Sequence, residues 1–417
     1  MGTVKYDSGR KMSRTNYILM FVMLISCISM FSFFPFLVTI LTGHYAFTAA
    51  DVGIMMSVGI IAGNLASVIV CMFLSEKVYK PVFTLALMVF SLAAFGFFFV
   101  SNISSTVYQY VLLLCCVVLY RFSVGVYYNI SRAYQIYSLD KENEKLRLFS
   151  NIKFVNSIGG GLGPVIGQAL INYGGYDALS VFCSITFLFA AILVFLFVPG
   201  VNKPQQAQFV NVFQGMIQVI RDKAFVLLSL GALFHYIFEA QIYTFITLKI
   251  NENNIQDGVA YVFTLNSVFL IALAFLGGKL IRKIDKLPKI SLLAFGSFCS
   301  CLSLISTPLV TGYLGLAFVV FIFSLGEYLV PQLAVDLITD TPGNTLQRIT
   351  LFNFMTSAIG LGIGFIFGSY LSTIGNLFVV AVSWVTILVL VCLLFSLGLS
   401  ASRAQRSAVL SASASEK

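Results

Sequence analysis

Five ionisable side chains stand inside long apolar stretches of this chain: Arg121, His235, Glu239, Glu327 and Asp336. A charge in a lipid interior costs roughly 2.5–3.5 kcal/mol on insertion scales, so each is a functional candidate by default. Glu327 sits near the middle of its apolar run, beside Gly326 and close to Ser324 and Pro331, a composition that loosens a helix locally. A carboxyl group placed there can load and release a proton; the plainer alternative is a structural acid hydrogen-bonded to a neighbouring helix. His235 and Glu239 are four residues apart and share one helix face. They form either a proton relay or a single intrahelical hydrogen bond. Arg121 cannot be deprotonated, so it must pair with an acid, bind an anionic group or sit in water. A place in a central cavity is expected for it. Asp336 falls near the end of its run and fits a coupling group and a solvated cap equally. Asp51, at the start of a run, reads first as a helix cap. Tyr120, Tyr127, Tyr128, Tyr236 and Tyr243 are candidates to line a cavity, although most of the 41 Phe and 19 Tyr must serve packing or face lipid.

Other chemistries find no footing. The eight cysteines all lie in apolar runs without the Cys/His spacing of a zinc site, and they read as small buried hydrophobes. No phosphate-cradling Gly-x-x-x-x-Gly-Lys-Ser/Thr is present, and no Ser/His/Asp set suggests hydrolysis. Neither enzyme activity nor a bound cofactor is expected.

The elements that position these residues follow from composition. The 417 residues are 59% hydrophobic and 10% charged, with mean hydropathy +0.95. A soluble domain carries roughly 25% charged residues, so this chain needs lipid as its solvent. The net charge of +9 is therefore read against membrane topology rather than nucleic acid. Twelve apolar runs are long enough to span, at 17–41, 52–75, 81–100, 107–130, 150–173, 176–199, 225–248, 258–281, 288–308, 312–337, 349–373 and 376–400. With both termini cytoplasmic, all of the 25 Lys and Arg except Arg121 and Lys249 fall on the cytoplasmic side, as the positive-inside rule requires. The expected organisation is an N-tail (1–16), a six-helix bundle (17–199), a polar cytoplasmic linker (200–224), a second six-helix bundle (225–400) and a Ser/Ala-rich tail without order (401–417).

The halves also match each other. At the constant offset that takes Ser123 to Ser324, Gly125 recurs as Gly326, Arg147 as Arg348, and Ile158, Gly159, Gly163, Gly167, Leu170 and Gly174 as Ile359, Gly360, Gly364, Gly368, Leu371 and Gly375. A six-plus-six duplication is the simplest account. It predicts an all-α membrane protein of twelve transmembrane helices in two pseudo-symmetric six-helix bundles, with a solute site between them near the midplane. The glycines at G-x-x-x-G spacing are expected to be close packing surfaces that let the halves slide.

These residues resemble the major facilitator superfamily. Gly159-x-x-x-Gly163-Pro164-x-x-Gly167 is similar to its antiporter motif, and Arg121-x-x-x-Gly125 to its membrane-buried arginine motif. Leu74-Ser75-Glu76-Lys77 resembles the loop motif after the second span, which implies gating by Glu76 and Lys77. Met72 and Tyr79 stand where that motif has glycines, however, and Glu76 replaces its aspartate. The second-half copy keeps Gly278 and Leu280 but has Arg282 at the acidic position. In the second half, Asp222-Lys223-x-Phe225, Gln241, Gly326-Glu327-x-x-x-Pro331 and the Gly360–Gly368 run resemble twelve-span bacterial drug:proton antiporters.

That resemblance implies proton-coupled export of amphipathic small molecules by alternating access. Glu327, Glu239, His235 and Asp336 would couple to protons, and Arg121, Gln241 and the tyrosines would line the cavity. It further implies a multi-pass monomer in a bacterial cytoplasmic membrane, driven by the proton gradient. The alternatives are an exporter dedicated to a siderophore-like or other anionic metabolite, a proton-coupled uptake symporter and, remotely, a non-transporting receptor.

Overall fold

The computed structural model describes residues 14–73, 78–137, 145–200, 218–284, 288–339 and 345–415, and every regular element among them is helical. Eleven stretches are long and apolar enough to cross a bilayer. One of them, Phe154–Phe197, contains two crossings, because Gly175 has φ +69° and ψ −170° and breaks the helix. A Cβ on Gly163 would lie 2.6 Å from Phe31 Cβ, and Cys183 Sγ donates to Ser29 O at 3.4 Å. Residues 163 and 183 would be about 30 Å apart along a straight helix, yet both meet the same stretch of the first helix. The chain therefore reverses at Gly175, and the described residues make twelve crossings.

The helices are α1 (Thr15–His44), α2 (Ala49–Phe73), α3 (Tyr79–Val100), α4 (Thr106–Tyr137), α5 (145–174), α6 (176–197), α7 (Lys223–Glu252), α8 (Gly258–Ile284), α9 (Lys289–Ser306), α10 (Tyr313–Thr339), α11 (345–372) and α12 (Leu377–Ser415). Most of the expected linker, residues 201–217, lies outside the described residues. The expected tail is corrected: α12 runs on to Ser415, an Ala- and Ser-rich extension that continues the apolar helix before it. An even number of crossings puts the start of α1 and the end of α12 on one face, called here the near face. The opposite one is the far face.

The packing repeats at a shift of six helices, as the sequence repeat predicts. Within the first half α2 packs on α4, α3 on α4, and α5–α6 on both α1 and α3. Within the second, α8 packs on α10, α9 on α10, α11 on α7, and α12 on α7 and α9. The halves join through two symmetry-related seams, α2 on α11 and α5 on α8. Their contacts include Asn251 Nδ2 to Thr39 Oγ1 (3.0 Å) and Asn172 Nδ2 to Asp257 Oδ1 (3.4 Å) at the far face. Deeper in, Thr264 Oγ1 donates to Gly161 O (3.4 Å) and Asn64 Nδ2 to Ser357 O (3.2 Å). The last of these reaches a seven-residue π-turn, Phe354–Gly360, where the wider winding disturbs the ordinary ladder.

Two charge details fit this frame. Lys249, the far-face exception in the charge census, is buried and pairs with Glu252 at 2.6 Å. Asp51 is the third residue of a capping box rather than the cap: Thr48 Oγ1 accepts from Asp51 N, and Asp51 Oδ2 accepts from Thr48 N at 3.2 Å.

Candidate functional site

Both leading helices are broken. Pro35, which has no N–H, forces a 3₁₀ turn over Phe34–Phe36 in α1. In the corresponding helix α7, a 3₁₀ turn over Ala240–Ile242 is followed by Thr244 at φ −119° and ψ −81° before the helix resumes at Phe245. Polar side chains satisfy the backbone freed by this second break. Gln241 Nε2 donates to Ile237 O and to Gly364 O (3.0 Å), and Thr244 Oγ1 donates to Ala240 O (3.3 Å). Gln241 is fully buried in these bonds, so it ties α7 to α11 and does not line a cavity as expected.

The two breaks meet. The rings of Phe34 and Tyr243 are 4.7 Å apart, and the Arg121 guanidinium lies over Phe34 at 4.4 Å from the ring centroid, a cation–π contact. At 1.5 Å rise per residue, Arg121, Glu327 and Glu239 all lie about 20 Å from the far face, measured from the helix ends at Thr106, Tyr313 and Glu252. Arg121, Tyr128, Tyr236, Glu239, Tyr243 and Glu327 all keep some accessible surface. Tyr243 is within electrostatic range of Arg121, Glu239 and Glu327, and the two carboxylates are within range of each other. Arg121 comes from the first half and both acids from the second.

Each acid has its own support. Asn266 Nδ2 donates to Glu327 Oε2 at 3.0 Å, and Ser324 Oγ donates to Asn266 Oδ1 at 2.6 Å, fixing which way the amide points. Pro331, four residues on, leaves the Glu327 carbonyl without its helical donor. His235 Nε2 is 3.6 Å from Glu239 Oε1, too long for a hydrogen bond, and both atoms are buried without a hydrogen-bond partner. His235 Nδ1 meets Ser297 Oγ at 3.1 Å. Asn266, Ser297, Asn64 and Phe34 carry no charge and so do not stand out in the sequence as Arg121 and Glu327 do. A lone amide in an apolar run, and an aromatic residue beside a helix-breaking proline, were the available signals.

Several candidates lie elsewhere. Tyr127 is buried in the first-half core, its ring 5.6 Å from Phe83 and 6.4 Å from Phe90, and Tyr120 is buried with it. Asp336 is more than half exposed at the near-face end of α10, paired with Lys289 at 2.6 Å and remote from the buried acids. Such a pair contributes at most about 1 kcal/mol. Glu76 and Lys77 lie outside the described residues. The motif glycines do pack closely, but inside each half, whereas Gly160 and Gly362 meet the other half at Ser267 and Ser57. Gly159, Gly163 and Gly167 abut α1 at Cys27, Phe31 and Ser32, with Pro164 in the same turn. Gly360, Gly364 and Gly368 abut α7, Gly125 abuts Gly63 of α2, and Gly326 abuts Gly296 of α9. A hollow of about 530 Å³ opens on the far face between Thr39 and Gln256, but it contains none of these charged groups.

A family model described as Major Facilitator Superfamily matches residues 19–364, most of the chain and both halves. The chain belongs to the Major Facilitator Superfamily. It is a multi-pass membrane protein and a secondary transporter, not an enzyme. Among solved structures, the superfamily fold is shared with a variant of the peptide transporter POT in complex with alafosfalin. The match has TM-score 0.70 at 15% identity, over 93% of this chain and 95% of that one. A POT family transporter in complex with 5-aminolevulinic acid matches with TM-score 0.74 at 11% identity, over 94% and 96%. The nucleoside transporter NupG matches with TM-score 0.71 at 12% identity, over 93% and 99%. At these identities the likeness is one of fold. Comparison with curated protein sequences gives no match.

Proposed function

We propose that this superfamily member is a proton-coupled exporter of amphipathic small organic molecules, with Glu327 as the group that carries the proton. The observation behind this is the Glu327–Asn266–Ser324 network, which holds one carboxyl at mid-membrane depth between α10 and α8. An acid at that depth is expensive to keep and needs a use. Glu239 stands within electrostatic range and offers the proton a second stop. The proton gradient supplies the energy, and rocking of the two halves about their seams exposes the site to each face in turn. Similarity of the α5 run Gly159–Gly167 to the antiporter motif supports export.

Uptake symport is the second reading. It draws on the solved structures of like fold, which include peptide and nucleoside transporters and one complex with 5-aminolevulinic acid. Reconstituted protein under an imposed pH gradient tests both readings with a panel of dyes, dipeptides and nucleosides. Gradient-driven accumulation is expected, and Glu327→Gln is expected to reduce it at least tenfold while sparing solute exchange without a gradient. Accumulation indifferent to both the gradient and the substitution would sink the coupling assignment. The sign of the gradient that drives accumulation separates export from uptake.

A further inference from the structure

A second set of buried polar side chains joins α7 to α9. His235 and Ser297 are both fully buried, and His235 Nδ1 meets Ser297 Oγ at 3.1 Å. From the other side of the ring, His235 Nε2 faces Glu239 Oε1 at 3.6 Å, and neither atom has a hydrogen-bond partner. One shared proton would satisfy both, after a movement of about 0.7 Å. The proton can come from the ring, as Nε2–H to a carboxylate, or from Glu239, as a carboxylic acid to a bare Nε2. The surroundings favour the acid. Among the described residues no Lys or Arg pairs with Glu239, and the charged group it senses is another acid, Glu327 of α10. The other titratable groups in range are Tyr236 and Tyr243 of its own helix. A carboxylate with a like charge nearby and no cation is the costlier occupant of such a site. Ser297 Oγ serves either tautomer, and it gives an Nδ1–H the acceptor that leaves Nε2 bare.

We propose that Glu239 carries a proton in this conformation and donates it to His235 Nε2, with His235 and Ser297 as the positioning residues that keep it there. Ser297 Oγ accepts from Nδ1–H, the bare Nε2 accepts from the acid, and all three groups are satisfied without net charge. Glu239 is then a filled proton store beside Glu327, and the imidazole stays neutral. The use of this store in transport rests on the proton-coupling reading above, but its occupancy is an equilibrium property that is measured without transport.

The chain has two histidines, and His44 is exposed at the far face. Ring nitrogen-15 spectra of the histidine-labelled full chain in lipid therefore resolve His235, with His44→Gln assigning the pair. At neutral pH the expected signature is a neutral ring protonated on Nδ1. Infrared difference spectra of wild type against Glu239→Gln are expected to show the loss of one protonated-carboxyl band. Gln keeps an N–H donor for Nε2, so the ring tautomer is expected to survive that change. Ser297→Ala removes the acceptor of Nδ1–H, and the ring is expected to move its proton to Nε2 with loss of the Glu239 carboxyl band. A wild-type ring protonated on Nε2 or on both nitrogens, a carboxyl band unchanged by Glu239→Gln, or a tautomer unmoved by Ser297→Ala overturns the proposal. If the variants do not fold, the wild-type ring spectrum still decides. These spectra need no gradient and no change at Glu327. Failure of coupled flux leaves them in place, and failure here leaves Glu327 as the coupling group, so the two failures are distinguishable.

Discussion

Asn266 is the residue through which Glu327 is positioned, and Ser324 in turn orients Asn266. Ser324 lies on the same helix as Glu327, so the triad closes a small circuit between α8 and α10. Ser324→Ala leaves the Asn266 carbonyl oxygen without its donor in a buried setting. The expected cost is about 1–3 kcal/mol, read as a lower thermal unfolding midpoint of the purified protein. Coupled transport should fall by less than in Glu327→Gln, since the carboxyl itself remains. Equal defects in the two variants would mean that Ser324 does more than orient the amide. The candidate site was partly legible at this scale. A charge in an apolar run is conspicuous by type alone, which is how Arg121, Glu239 and Glu327 stand out. Gln241 and Tyr127 failed as cavity residues because a helix-wheel reading does not tell the cleft from the packed core. Only the α7 break explains why Gln241 is consumed by carbonyls.

Individual helices carry two further expectations. On α5, Gly163 and Gly161 are two residues apart and face different surroundings. A Cβ at Gly163 would meet Phe31 Cβ at 2.6 Å and Ser32 N at 2.9 Å, whereas one at Gly161 meets nothing within 4 Å. Gly163→Ala should therefore destabilise by about 1–3 kcal/mol through overpacking against α1. Gly161→Ala should stabilise by up to about 1 kcal/mol through helix propensity. Opposite shifts in the unfolding midpoint are the expected result, and shifts of the same sign would contradict the packing described.

At the near face, Asp222 caps α7 through Ala224 N (3.0 Å) and Phe225 N (3.3 Å), and accepts from Arg348 of α11 (2.6 Å) and Gln405 of α12 (3.0 Å). Burial alone would raise its pKa, but the hydrogen bonds from Gln405, Arg348 and Phe225 and the charge of Arg348 outweigh it and hold Asp222 below the ordinary carboxylate range. A depressed folded-state value contributes stability that is present above the unfolded value of about 3.9 and is lost as pH falls below it. Asp222→Asn should cost about 1.5–3 kcal/mol at neutral pH, the usual worth of hydrogen bonds to a charged group. It should also remove this acid-sensitive part of the unfolding midpoint. The span count was readable because lipid demands long apolar runs. The π-turn of α11 was not, since nothing in Phe354–Gly360 announces a wider winding.

For the molecule as a whole, the halves meet along α2–α11 and α5–α8, with Thr39 and Asn251 bridging α1 and α7 at the far face. If transport requires the far face to part, a covalent tie there must stop it. Oxidation of a Thr39→Cys, Asn251→Cys double variant is expected to reduce flux at least tenfold, with recovery on reduction. Unchanged flux in fully crosslinked protein would show that this seam does not open. The two-fold arrangement was visible beforehand because duplicated glycines at a fixed offset leave a sequence trace. The place of those glycines inside each half was not, because spacing shows that a helix face is narrow without naming the helix that uses it.

The reversal at Gly175 bears on how the protein is made. With a single residue turning the chain between α5 and α6, no loop exists to let one helix enter the bilayer while the other waits. The pair must leave the insertion machinery as a hairpin, and an epitope or protease site placed between them would have to lengthen that turn before it could be seen from outside.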